Sequence, residues 1–241
     1  MERILEPEVM DTSSEAIEYD AMDFTAVNTA LAQHTSELGP QLGLVLDAGT
    51  GTARIPILIC QKCPQLQIIG SDLSKNMLLI ASKNVEQAGL QKQISLELAD
   101  SKQLPYQDGQ SDMVISNSIV HHLPHALPFF LEIKRVLKPN GAIFIRDLFR
   151  PTDEAMMNAL VDSIGDDYDE HQKMLFRDSL HAAFTLNEIK EIVPNSGLEG
   201  VKVYRVHLTF ANTSSGKLTI KISTAKRKDR GNILNIPLCP R

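Results

Sequence analysis

The chain has 241 residues, of which 43% are hydrophobic and 22% charged, a composition close to that of ordinary folded proteins that argues against disorder. A formal charge of −6 offers no general basic surface to a phosphate backbone, which disfavours a nucleic-acid partner. No run reaches the roughly 18 apolar residues that span a membrane, residues 1–7 lack the apolar centre of a signal peptide, and three cysteines are too few for a disulfide framework, so a cytoplasmic protein with no membrane attachment is expected.

Residues 15–38 read as helical, and 1–41 as a cover ahead of the first strand. From residue 43 onward, strand-like and helix-like runs alternate, the signature of βαβ units and a mostly parallel sheet. The predicted order is strand 43–47, helix 52–62, strand 66–71, helix 75–88 closed by Gly89, strand 94–98 and strand 112–116. A helix over 127–137 and a turn at Pro139-Asn140-Gly141 then lead into strand 142–147, and residues 42–150 form the core. Residues 151–184 are acidic and Met-rich with helical apolar spacing, which predicts a helical insertion over the active edge of the sheet. Thr185 and Glu188 have the spacing of a capping box for a short helix ended by Pro194 and Gly197. Runs 201–210 and 217–224, joined through 212–216, read as a closing hairpin. The result is a doubly wound α/β domain over 1–225 with helices on both faces, followed by a basic tail over 226–241.

The strongest local signal is Asp47-Ala48-Gly49-Thr50-Gly51, where an apolar strand runs into two glycines and then a helix. Small residues let the backbone approach a ligand, and free amides at a helix start can meet negative charge. A dinucleotide fingerprint would have its third small residue where Arg54 stands, and Asp47 suits a cationic methionine moiety better than a pyrophosphate. Polar groups also end the next three strands. Asp72 is placed to accept from ribose hydroxyls, or to serve as an acid at a helix start. Asp100 and Ser101 can meet an adenine amino group, and Asn117 closes the following strand.

In combination, these residues over about 44–148 resemble the core of the class I S-adenosylmethionine-dependent methyltransferases, in particular the broad small-molecule group. The resemblance implies that Gly49 and Gly51 lie under the methionine, that Asp72 binds ribose, that Asp100 and Ser101 face adenine, and that Leu73 and Met77 pack near its ring. It also implies a Rossmann-like, seven-stranded sheet with an antiparallel last strand. The sequence Asn117-Ser118-Ile119-Val120 lacks the Pro-Pro-aromatic run of enzymes acting on base amines, and no Pro-Cys pair of the cytosine-C5 type is present, which points to a small-molecule acceptor.

Methyl transfer needs alignment and exclusion of water more than it needs a base. Where a base is needed, His121 and His122 are the candidates, with structural or capping roles as the alternative. Arg146 and Asp147 at the end of the fifth strand, and Tyr19 in the cover, are candidate acceptor-binding residues. Asp20, Arg177 and His181 are weaker ones. His125 adds a third nearby histidine, but no neighbouring carboxylate or cysteine completes a ligand set, so no metal is expected; Cys60 and Cys63 likewise lack a second pair and read as structural. An NAD-linked oxidoreductase and a non-catalytic S-adenosylmethionine-binding module remain alternatives to the enzyme.

Overall fold

The computed structural model describes residues 1–8, 12–165, 168–210 and 213–224, with side chains described as far as residue 205. Neighbouring side chains of a strand point to opposite faces. In β1 (Gly43–Ala48), β4 (Ser111–Asn117) and β5 (Leu137–Leu148), Leu46, Val114, Ile143 and Ile145 enter one apolar layer, while Val45, Met113, Ile115 and Phe144 enter the other. A sheet that is apolar on both faces must be covered on both. Helices α2 (Thr25–Leu38), α3 (Arg54–Lys62) and α4 (Lys75–Gln87) cover the face of Val45, through Leu31, Ile59 and Val85. Helices α5 (Leu127–Val136), α6 (Glu154–Asp162), α7 (Glu170–Ala182) and α8 (Leu186–Asn195) cover the other, through Phe129, Phe130, Met157, Leu180 and Ile189. A short α1 (Ser13–Ala21), opened by a capping box of Thr12 and Glu15, lies ahead of α2.

With β2 (Leu66–Asp72), β3 (Ile94–Leu98), β6 (Val201–Phe210) and β7 (Thr213–Thr224), the strand order is β3-β2-β1-β4-β5-β7-β6. The first five strands pair in parallel, and β7 is antiparallel to both β5 and β6. The parallel body therefore has five strands; the expected seven are reached only by adding the antiparallel-paired hairpin. The chain leaves β1 towards β2 on one side and β4 towards β5 on the other. Open α/β sheets bind ligands at the crevice this reversal creates, beyond the carboxyl ends of the strands.

Several boundaries differ from the sequence reading for local reasons. Helix α3 begins at Arg54 because Ala53 takes a left-handed φ of 60°. The turn expected at Pro139-Asn140-Gly141 is absorbed into β5 as a bulge. Pairing there steps from Ser111 opposite Leu137 to Met113 opposite Ala142, and Asn140 takes a φ of 65°. Helix α8 keeps the Thr185 and Glu188 box but carries Pro194 inside its last turn. Strand β7 starts at Thr213, so most of the expected joining segment is strand, while residues 211–212, the tail 226–241 and with it Cys239 lie outside the described residues. The insertion folds as α6 and α7, each capped by an aspartate, Asp153 and Asp169 respectively. Cys60 and Cys63 are buried free thiols. Among the described residues, no helix is long and apolar enough to cross a membrane.

The layer beneath α5 depends on fully buried aromatic rings, Phe129 and Phe130, packed edge to face with centroids 5.2 Å apart. Phe130→Ala is expected to lower unfolding free energy by about 3–5 kcal/mol, read by denaturant titration.

Candidate active site

The loop after β1 is shaped by backbone conformations that need glycine. Gly49 has a φ of 76° and Gly51 a φ of 55°; a Cβ on Gly49 would lie 2.2 Å from Ile119 Cγ2, so no side chain fits there. The Gly49 and Thr50 amides donate to the Ser71 carbonyl at 2.8 and 2.9 Å, and the Gly51 amide donates to Asp72 Oδ2 at 2.8 Å. The loop is thereby tied to the end of β2. Ala48 is fully buried at the tip of β1.

Asp47 is enclosed beneath the loop. It is only 2% exposed, accepts from Thr50 Oγ1 at 2.8 Å, and lines none of the cavities described below. Burial pushes its carboxyl up to about 7, although the Thr50 hydrogen bond acts the other way. It therefore holds the loop from within rather than presenting a bare charge to a ligand.

A first cavity gathers Gly49, Asp72, Leu73, Asp100, Ser101 and Ile119 from the tips of the strands. Asp72 accepts from the Gly51 and Ser74 amides, and Ser74 also caps α4, so this acid braces the start of the helix while lining the cavity. Burial raises its carboxyl, partly offset by those amides. Asp100 lies beside Lys102 Nζ at 2.9 Å, which also pairs with Glu8. Met77 is not brought to this cavity; it is buried in the first turn of α4, where its amide donates to Ser74 Oγ. An open glycine backbone at Gly49, a partly buried acid with both oxygens facing amides at the end of β2, and an acid after β3 form a set of polar groups that fits an adenosyl ligand.

A second cavity, about 180 Å³, opens on the β4–β5 side and is lined by Tyr19, Phe24, Asn117, His121, His122 and Arg146, with apolar side chains from α7. Arg146 is 2% exposed, donates through Nε to Asn117 Oδ1 at 2.8 Å and through Nη1 to the Val27 carbonyl at 3.0 Å, and leaves Nη2 buried without a hydrogen bond. Burial lowers its guanidinium to about 10. Tyr19 stacks at a tilt on Phe24, approaches the Gly51 position, and has its hydroxyl pushed up to about 12, first by burial and then by Asp72. It also lines a third cavity, about 480 Å³, which lies beside Thr50, Thr52 and Arg54 and away from the strand-tip acids.

Asp147 lies at the same sheet edge, outside the lining of the second cavity. It turns away from the second cavity, accepting from the Val120 amide at 2.7 Å and placing Oδ1 2.6 Å from His121 Nδ1. Burial alone would lower the His121 imidazolium, but the charge and hydrogen bond of Asp147, with Glu6, prevail and raise it. His122 is lowered to about 4 by burial and by His121, so it is neutral. Glu6 lies with Oε1 3.5 Å from His121 Nε2 and 3.3 Å from His122 Nδ1, supplying the carboxylate that the sequence around the histidines lacks. No local pattern points to Glu6; it arrives on the N-terminal segment. The pairing of His121 with Asp147 was legible in principle, because a parallel β4–β5 register places the residues just after Asn117 beside those just after Arg146. Asp20 forms a two-pronged pair with Arg54 at 2.9 and 2.7 Å, and Arg177 bonds Glu154 and Asn158 on the surface; neither lies in the second cavity. His181 also stays outside it, its backbone carbonyl accepting from Ile4.

Asp47 gives a pH signature. Its folded pKa is raised, so its contribution to stability is complete below the unfolded value of 3.8 and is lost as pH rises through about 7. Relative to Asp47→Asn, the ligand-free protein should lose on the order of 4 kcal/mol between pH 4 and 8, measured as the difference between two denaturation series.

Residues 46–145 match the family model for a methyltransferase domain. Over 108 residues the chain is 35% identical to a demethylmenaquinone methyltransferase of Lactobacillus johnsonii, a match covering 44% of each chain. The chain thus spans less than half the length of that relative. Its fold is similar to that of a SAM-dependent methyltransferase from Aquifex aeolicus, with TM-score 0.63 and 17% identity over 89% of this chain and 99% of that one. It is also similar to an N-methyltransferase from Haemonchus contortus solved with phosphomonomethylethanolamine and S-adenosylhomocysteine, with TM-score 0.67 and 17% identity over 89% of this chain and 57% of that one. With the glycine loop and the strand-tip acids, these likenesses make residues 46–145 similar to the methyltransferase domains of S-adenosylmethionine-dependent enzymes.

Proposed function

We propose that the protein transfers a methyl group from S-adenosylmethionine to a small oxygen-bearing acceptor in the cytoplasm. The observation that carries this reading is the adjacency of two differently built cavities. One is edged by Asp72, Asp100 and Gly49, the other by His121, Asn117 and Arg146, and Ile119 and His122 lie at the turn between them. The cofactor supplies a methyl group already activated on a sulfonium sulfur. Asp72 would hold the ribose and orient the adenosyl group, Asp100 and Ser101 would meet the adenine, and Leu73 would pack against it. Arg54, standing where a dinucleotide site has its third small residue, supports this assignment over a nicotinamide.

The acceptor cavity is smaller than the ~300–1,000 Å³ of drug-sized sites, which supports a small acceptor or one end of a longer one. Tyr19, Phe24 and Phe176 would exclude water from it. The spare Nη2 of Arg146 supports an acceptor with a carboxylate or comparable oxygen, since an unmade buried charged hydrogen bond is costly. His121, with its ring fixed by Asp147, and neutral His122 form the wall at which the acceptor is polarised or loses its proton.

Two measurements test the reading. Labelled methyl donor mixed with the protein and a metabolite extract should yield a labelled small molecule, and absence of any labelled product would remove the enzymatic reading in favour of a binding module. Asp72→Ala should weaken S-adenosylhomocysteine binding by about 1–3 kcal/mol in calorimetry, and unchanged affinity would take Asp72 out of the site.

A further inference from the structure

The segment before α1 is fastened beside the two histidines of the second cavity. Arg3 donates to the carbonyls of Ala182, Pro124, His121 and Leu123 at 2.6 to 3.0 Å and stacks 3.7 Å over the Phe184 ring. That anchorage fixes Glu6 three residues on. Glu6 Oε2 accepts from Ser179 Oγ at 3.1 Å, whereas Oε1 is buried and has no hydrogen bond. Instead Oε1 faces two imidazole nitrogens, His121 Nε2 at 3.5 Å and His122 Nδ1 at 3.3 Å.

These separations are long for hydrogen bonds and short for an arrangement with no role. They match the edges of a ligand tetrahedron: donors about 2.0–2.2 Å from a zinc ion stand about 3.3–3.6 Å from one another. All three ligand atoms lie within 4.8 Å of each other. Behind them, Asp147 Oδ1 sits 2.6 Å from His121 Nδ1, the carboxylate–histidine relay that turns the lone pair of the opposite nitrogen towards a metal. His122 must give up a 3.2 Å contact from Nδ1 to the Pro7 carbonyl and carry its proton on Nε2 instead. We propose that Glu6 Oε1, His121 Nε2 and His122 Nδ1 form a three-ligand site for a divalent transition cation, zinc by its donor set, with the fourth position open to the acceptor cavity. Two imidazoles and one carboxylate with an open position suit a cation that binds a ligand oxygen as a Lewis acid. The placement opposite Arg146 rests on the reading of this cavity as the acceptor's; the binding of the ion does not.

The test uses the untagged full-length protein stripped with a chelator. Titration with Zn²⁺ against a chromophoric chelator should show one tight equivalent, Co²⁺ should give the visible absorption of a four-coordinate ion, and Zn²⁺ should raise the melting temperature. Glu6→Gln and His122→Gln should each weaken Zn²⁺ binding at least about ten-fold, and Asp147→Asn by about 10–100-fold. Cys60→Ser with Cys63→Ser should leave binding unchanged. Absence of a saturable equivalent, binding indifferent to both Glu6→Gln and His122→Gln, or binding lost with the cysteines would each overturn the proposal. Methyl transfer is assayed separately: metal binding without transfer would refute the enzymatic reading alone, and transfer by a protein that binds no metal would refute this one alone.

Discussion

The structure depends on the in-register parallel pairing of β1 with β2 on one side and β4 on the other. Parallel strands end on the same edge of a sheet, so Ala48, Asp72 and Asn117, which are distant in sequence, finish side by side. The glycine loop becomes a site only because of that edge. Its amides meet the Ser71 carbonyl and the Asp72 carboxylate, both of which belong to the neighbouring strand. Without this pairing, the same glycines would be an ordinary strand-to-helix turn.

Each side of the reversal carries a different chemistry. The β1–β2–β3 side offers carboxylates, whereas the β4–β5 side offers imidazole and guanidinium groups held by buried partners. Buried polar groups of this kind are stable only when satisfied by others. Asp147 meets that need for His121 and for the Val120 amide together, and Asn117 with the Val27 carbonyl meets most of it for Arg146. One guanidinium donor is left over in the lining of the second cavity, and one Glu6 oxygen is left over beside the two histidines.

How much of this was legible in the sequence follows from how local each feature is. The glycine loop, the alternating strands and the polar residues at the strand tips are encoded within a few neighbouring positions, and the structure puts them where the alternation implies. Asp47 could be located from sequence but its environment could not, because burial depends on what packs above it. Asp147 could be placed at this edge from sequence, but its partners, the Val120 amide and the His121 ring, lie in the loop after the neighbouring strand and become visible only in the fold. The bulge at Asn140 has the composition of a turn, and only the pairing with Ser111 and Met113 shows that the strand continues through it. Glu6 lay beyond any local pattern, because its partners are more than a hundred positions away.

That distance bears on the order in which the molecule assembles. Arg3 finds its four carbonyl partners at sequence separations of 118 to 179 positions. Closing so large a loop has an entropic cost that only a preformed landing surface repays. The residues around Arg3 therefore stay unattached until α7 has packed, and they are among the last parts of the described fold to find their place.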